Sequence, residues 1–140
     1  TSGDGAGYTI FGTVKTNGRA VMGIGVALQA TQRFPEVAKE LGNLIVSKGN
    51  VVHLLSNGLF SFPVKYDWRE KADLNLIQIS VDSLMWYVNF FEQFEEKLTW
   101  ALPLPGTGAG QLNPNQIWPL LVDLPDNVTI VVLSKSMLPA

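Results

Sequence analysis

A glycine-rich loop near the start of the chain constrains its fold more than any other feature. Asn17–Gly25 contains three glycines. The apolar, β-branched run Tyr8–Val14 before it predicts a strand, and Ile24–Gln32 predicts a helix. Backbone N–H groups at a helix start lack intrahelical partners, and the helix dipole favours negative charge there. Because glycine has no Cβ, the backbone can approach a ligand closely. The stretch therefore predicts a strand, an anion-binding loop and a helix.

A second glycine-rich loop follows later in the chain. Leu98–Leu104 predicts a strand, Gly106–Gly110 is the loop, and Asn113 with Pro114 predicts a helix start. Two such loops on one α/β sheet would hold a diphosphate between them. Neither loop matches the strict dinucleotide fingerprint, and neither carries the Lys-Ser/Thr pair of a P-loop.

The rest of the chain predicts alternating helices and strands. The elements are a loose start at Thr1–Gly7, a short helix Glu36–Leu41 ended by Gly42, a hairpin around Asn57-Gly58 with the return strand Leu59–Val64, a long helix Ala72–Glu95 capped by Asp73, and a buried inner strand Val128–Leu133. This alternation predicts an α/β sheet covered on both faces. Ligands bind such sheets at the carboxyl ends of the strands, where both glycine loops lie.

Composition narrows the class of protein. The 140 residues predict a single domain, 1–140, and charged residues are only 16% with a net charge of −2. The chain has no block of basic residues that would predict nucleic-acid binding. It has no cysteine and a single histidine, which argues against a metal site. We expect a cytoplasmic monomer with no membrane segment, metal or cofactor. His53 alternates with apolar neighbours, which favours a structural role.

Three motifs in order resemble those of macro domains, the ADP-ribose-binding α/β modules. The matching residues are Asn17, Met22–Gln29, Phe34-Pro-Glu, Pro105–Leu112 and Val128–Leu133. The resemblance implies a three-layer α/β/α fold with a mixed central sheet, and ADP-ribose or an ADP-ribosylated macromolecule as the partner. It implies ligand contacts by Met22, Gly23, Ile24, Gly25, Val26, Pro105, Gly106, Thr107, Gly108, Ala109 and Gly110.

The segment Phe62–Leu74 resembles one macro-domain branch more closely. That branch includes antitoxins that remove ADP-ribose from DNA and enzymes that remove it from glutamate. The resemblance implies that Lys65 is catalytic and that Asn17 orients the distal ribose. Two positions depart from the family pattern: Val14 stands where many members carry an asparagine, and Gly110 stands where the glutamate-directed enzymes carry an acid. Asp4 is the candidate for the adenine contact.

Two functions from different classes remain open on the sequence. One is an enzyme that hydrolyses an ADP-ribosyl linkage or processes ADP-ribose 1″-phosphate, and the other is a non-catalytic ADP-ribose-binding module. Lys65 discriminates between them because a module that only binds has no need of a lysine there. A lysine can attack the anomeric carbon as an amine or stabilise charge as an ammonium. The alternative for the cluster Lys65–Lys71 is an ordinary solvated loop.

Overall fold

The central element of the fold is a mixed sheet, which has five strands in the described residues. A computed structural model describes residues 5–11, 29, 32–67, 69–93 and 98–139. The strands are β1 (Gly5–Phe11), β2 (His53–Leu54), β3 (Leu59–Lys65), β4 (Trp100–Pro103) and β5 (Val128–Val131). Their order across the sheet is β2-β3-β1-β4-β5. Among the described strands, only the β2–β3 pair is antiparallel, and the other three pairs are parallel.

Within the described residues, three helices with defined bounds cover this sheet: α1 (Val37–Lys48), α2 (Leu74–Phe91) and α3 (Pro114–Leu121). Alternate residues of β3 face opposite sides. Phe60, Phe62 and Val64 join the larger core with α2, whereas Leu59 packs with the cluster formed by α1. Helices thus lie on both faces, which confirms the predicted three-layer α/β/α fold.

Local signals at the helix starts and the hairpin are confirmed. Asp73 Oδ1 accepts from the Leu76 N–H at 3.0 Å, and Asn113 caps α3 with Pro114 in its first turn. Asn57-Gly58 lies in a 3₁₀ turn that joins β2 to β3, and Gly58 has φ of 71°. The N–H of Leu55 donates to the Leu59 carbonyl at 2.8 Å, which closes the hairpin.

Three predicted elements are wrong. Gly5–Gly7 is not loose, because β1 is paired on both sides, with β3 and β4. The helix predicted to end at Gly42 continues to Lys48, because Leu41 and Ile45 extend its buried face. That burial outweighs the cost of about 1 kcal/mol for a glycine inside a helix. The inner strand predicted at Val128–Leu133 is Val128–Val131, at the edge of the described sheet and only half-buried.

Within the described residues, no helix is both long enough and apolar enough to cross a lipid bilayer.

The long helix α2 begins at Leu74 and ends at Phe91, so it is shorter than the predicted Ala72–Glu95. Its start directly follows the end of β3, and this connection shapes the site described below.

Candidate ligand and catalytic site

The sheet order brings three strand ends together at one edge. β3, β1 and β4 are neighbours and run parallel, so their carboxyl ends meet at the same edge. The chain leaves β3, passes through α2 and returns in β4 on the other side of β1. Ligands of open α/β sheets bind outside such a switch point. Lys65, the segment after Phe11 and the loop after Pro103 all begin at this edge.

The first predicted loop lies outside the described residues. This applies to Asn17, to Met22, Gly23, Ile24, Gly25 and Val26, and to Asp4. Their roles stay predictions. What the structure fixes is the position from which that segment starts: Phe11 is the last residue of β1 and lies opposite Lys65.

The second glycine-rich loop has a tightly held backbone. Gly106 has φ of 77°, and its carbonyl accepts from the Leu112 N–H at 2.9 Å. The Thr107 hydroxyl donates to the Leu104 carbonyl at 3.1 Å, so this side chain closes the loop from within. Gly108–Gly110 form a 3₁₀ turn that ends at Gln111, whose φ is 63°. Of the predicted ligand contacts here, Pro105, Gly106, Thr107 and Gly110 are buried, whereas Gly108 is exposed.

The three glycines of this loop have different surroundings. A Cβ on Gly106 would lie 2.7 Å from Ile77 Cδ1, and one on Gly110 would lie 2.9 Å from Ala72 Cβ. A Cβ on Gly108 would have no neighbour within 4 Å. A side chain on Gly110 would therefore displace Ala72, one on Gly106 would be strained by the positive φ, and the space above Gly108 is open. The N–H groups that begin a 3₁₀ turn have no partner inside it, so they suit an anion.

Backbone hydrogen bonds join this loop to the end of β3. The Ala72 N–H donates to the Gly110 carbonyl at 3.0 Å, and the Asp73 N–H donates to the Val64 carbonyl at 2.8 Å. Two consecutive residues before α2 thus hold the glycine loop and the strand end at once. This tie brings the second loop and Lys65, both predicted from sequence, into one structural unit.

Lys65 is the last residue of β3 and is only 3% exposed. Burial lowers the pKa of its ε-amine below the ordinary value. Opposite Ile10 and Phe11 lie Pro63 and Lys65, so Val64 is an extra residue in the ladder. Such bulges bend a strand and redirect side chains, and they are common beside active sites.

In the charged turn that follows, Tyr66–Lys71, the described residues face solvent in full or, for Asp67, in part. Arg69 Nε donates to Asp67 Oδ1 at 2.9 Å, and Arg69 Nη2 donates to Asp67 Oδ2 at 3.0 Å. These hydrogen bonds and the attraction of the carboxylate raise the pKa of Arg69. Trp68 lies outside the described residues. The prediction of a solvated loop holds for this turn, and Lys65 is excluded from it.

Other features of the described residues carry less chemistry. A cavity of about 720 Å³ is lined mainly by apolar side chains of α3, β5 and the loop between them, and it contains none of the predicted site residues. No group of three potential metal ligands occurs in the part of the chain that the structure describes. His53 is buried, and its Nε2 lies 2.8 Å from the Gly49 carbonyl.

Comparison with solved structures identifies the class of fold. The chain is similar to the macrodomain of Mycobacterium tuberculosis DarG, with a TM-score of 0.73 and 21% identity over 94% of this chain and 89% of that one. It is also similar to the macrodomain of Thermus aquaticus DarG, with a TM-score of 0.63 and 24% identity over 95% and 91% of the two chains. This protein has the macrodomain fold.

A third similar structure is Thermosipho africanus DarTG in complex with ADP-ribose. The TM-score is 0.66 and the identity 17%, over 97% of this chain and 39% of that one. No protein-family model and no curated protein matches the sequence.

Asn50 contacts this site although the sequence analysis assigns it no functional role. Asn50 lies before the predicted hairpin around Asn57-Gly58, and the pair Gly49-Asn50 is typical of a turn. In the structure its amide reaches the carbonyl of Lys65. Turn composition alone predicts no such contact, because the partner is 15 residues away.

Proposed function

We propose that this protein binds ADP-ribose and hydrolyses an ADP-ribosyl linkage, with Lys65 as the catalytic residue. The substrate is an ADP-ribosylated protein or DNA, or ADP-ribose 1″-phosphate. The observation that carries the proposal is the buried Lys65, whose pKa is lowered, at the sheet edge that also holds the second glycine loop. The likeness to a DarTG structure in complex with ADP-ribose supports the choice of ligand.

A lowered pKa makes the neutral amine of Lys65 more available near neutral pH, and the amine is the nucleophilic form. The nitrogen forms a bond to C1″ of the distal ribose as the bond from C1″ to the leaving group breaks. The leaving group takes up the proton that the nitrogen loses. Water then hydrolyses the lysine–sugar adduct, which releases ADP-ribose and restores the amine. In the other role the ammonium stays intact and stabilises negative charge on the leaving group.

The diphosphate site is tested at Gly108, where the structure leaves room for a side chain. Gly108→Val should preserve the melting temperature and weaken ADP-ribose binding about tenfold or more, a loss of about 1.4 kcal/mol. Calorimetry with ADP-ribose measures the affinity. The matched control is Gly110→Ala, whose new Cβ would collide with Ala72, so this variant should lose stability. Unchanged affinity in Gly108→Val would move the phosphate site elsewhere.

The non-catalytic binding module is the second candidate. It is favoured by Gly110, which stands where the glutamate-directed enzymes carry an acid. In a binding module Lys65 contributes only positive charge to the ligand site. An assay for ADP-ribose release from modified DNA, modified protein and ADP-ribose 1″-phosphate separates the two functions. Tight ADP-ribose binding without release from any substrate would establish the module.

A further inference from the structure

Among the described strands, only β1 pairs with the end of β3 that carries Lys65. β2 is only two residues long and pairs with Phe60 and Ser61. On the other side β1 continues to Lys65, with the bulge at Val64. Besides β1, the Asp73 N–H holds this strand end through the Val64 carbonyl, one residue before Lys65. The constraint on the Lys65 carbonyl itself comes from outside the strands.

Asn50 supplies that constraint through its side-chain amide. Asn50 Nδ2 donates to the Lys65 carbonyl at 3.0 Å. The amide orientation follows from the chemistry, because a carbonyl only accepts and the nitrogen must face it. Asn50 Oδ1 is then buried without a hydrogen-bond partner among the described residues.

Asn50 is itself held in place by His53. Gly49 has φ of 93°, a conformation that side-chain-bearing residues rarely adopt, and its N–H donates to the Ile45 carbonyl at 2.9 Å. His53 Nε2 donates to the Gly49 carbonyl at 2.8 Å, and the His53 N–H donates to Ser61 Oγ at 3.0 Å. Hydrogen bonds thus join Ser61 to His53, His53 to Gly49, and Asn50 to Lys65. Gly49 and Asn50 are adjacent in the chain, and β3 connects Lys65 back to Ser61, which closes a ring.

We infer that Asn50 is a positioning residue for Lys65, fixing the end of β3 through the Lys65 carbonyl, and that His53 holds Asn50 through Gly49. We call this ring the Asn50 brace; its members are Ser61, His53, Gly49, Asn50 and Lys65. The inference rests on the proposed function in one respect: the benefit of positioning Lys65 is catalytic. It also gives the buried His53 a structural task that explains its burial.

The test replaces Asn50 with leucine, which has the same branched shape and no amide. Asn43→Leu is the matched control, since Asn43 is an exposed residue of α1. In Asn50→Leu we expect kcat for ADP-ribose release to fall about tenfold or more, while ADP-ribose affinity changes less than about threefold. Asn43→Leu should leave both unchanged. If Asn50→Leu does not fold, Asn50→Ala removes the amide without added bulk and carries the same expectation.

A second readout does not depend on hydrolysis. NMR titration of ¹³Cε-labelled lysines, with the Lys65 signal assigned from Lys65→Arg, follows the ε-amine directly. In Asn50→Leu the pKa of the Lys65 amine should move back towards its ordinary value. Without the bond to its carbonyl, the Lys65 backbone can shift, and the amine then reaches water. A shifted titration without any release from wild type would uphold the brace and refute the hydrolase. An unchanged titration and an unchanged kcat would make Asn50 a turn residue only.

Discussion

Lys65 and the charged turn directly after it differ sharply although they are adjacent in sequence. Lys65 is buried and its pKa is lowered by loss of water. Arg69 has 71% of its side chain exposed, and the hydrogen bond and charge of Asp67 raise its pKa. Both residues are cations within a span of five positions. The end of β3 separates them, so position relative to the sheet edge decides which basic residue has its pKa lowered and which has it raised.

The largest expected effect tests this contrast with two alanine substitutions. Lys65→Ala should lower release of ADP-ribose by about a hundredfold or more and leave ADP-ribose affinity within a few-fold. Lys71→Ala is the matched control, because Lys71 is an exposed lysine of the charged turn. It should keep full activity. Release assays and calorimetry on the same preparations provide both numbers.

Lys65→Arg refines the result. Arginine keeps the charge but cannot act as a neutral amine, so it should not rescue release if the amine attacks C1″. Partial rescue would instead support charge stabilisation by an ammonium. Full activity in Lys65→Ala would contradict the catalytic assignment and group Lys65 with the charged turn.

Sequence patterns were informative where the controlling interaction is local. The caps at Asp73 and Asn113 and the hairpin at Asn57-Gly58 depend on neighbouring residues, and all three are confirmed. The predictions for Gly5–Gly7, Gly42 and Val128–Leu133 failed because pairing and burial by distant residues decided them. Composition cannot distinguish a central strand from an edge strand.

The candidate site divides in the same way. Lys65 and the second loop were found because the chain resembles a family at those residues, and the structure places both at one sheet edge. Their connection through Ala72 and Asp73 could not be foreseen, since backbone hydrogen bonds leave no mark on residue type. The burial of Lys65 was also not predictable, because the residues that follow it are strongly charged.

A smaller effect concerns stability, with the sign set by the lowered pKa of Lys65. The unfolded chain binds the lysine proton more tightly than the folded one, so wild-type stability rises with pH between the folded pKa and about 10.4. Lys65→Met removes the buried amine at similar volume. It should melt a few degrees higher than wild type at pH 7, because about 1 kcal/mol shifts the melting temperature of such a domain by about 3 °C.

This stability gain should shrink as the pH approaches about 10.4, where the amine is neutral in both states. Lys71→Met controls for the loss of one surface charge and should show neither the gain nor its pH dependence. Calorimetric melting of the three proteins across the pH range measures the difference. A gain that persists unchanged at high pH would attribute the effect to packing instead of to the buried amine.

The smallest expected effect lies in the charged turn itself. Asp67 Oδ1 accepts from both the N–H and the Nε of Arg69, so its carboxylate closes the turn as well as pairing with the guanidinium. Exposed ion pairs contribute little to stability. Arg69→Ala and Asp67→Asn, which keeps the oxygen that accepts from the Arg69 N–H, should change the melting temperature by about 1 °C or less. Asp67→Ala also loses the turn contact and should be the least stable of the three. In all three variants ADP-ribose affinity should stay within about twofold, because none of these groups belongs to the buried strand end.

A loss of about tenfold in the ADP-ribose affinity of Arg69→Ala would instead place the charged turn in the ligand site. It would then no longer differ from Lys65 in function.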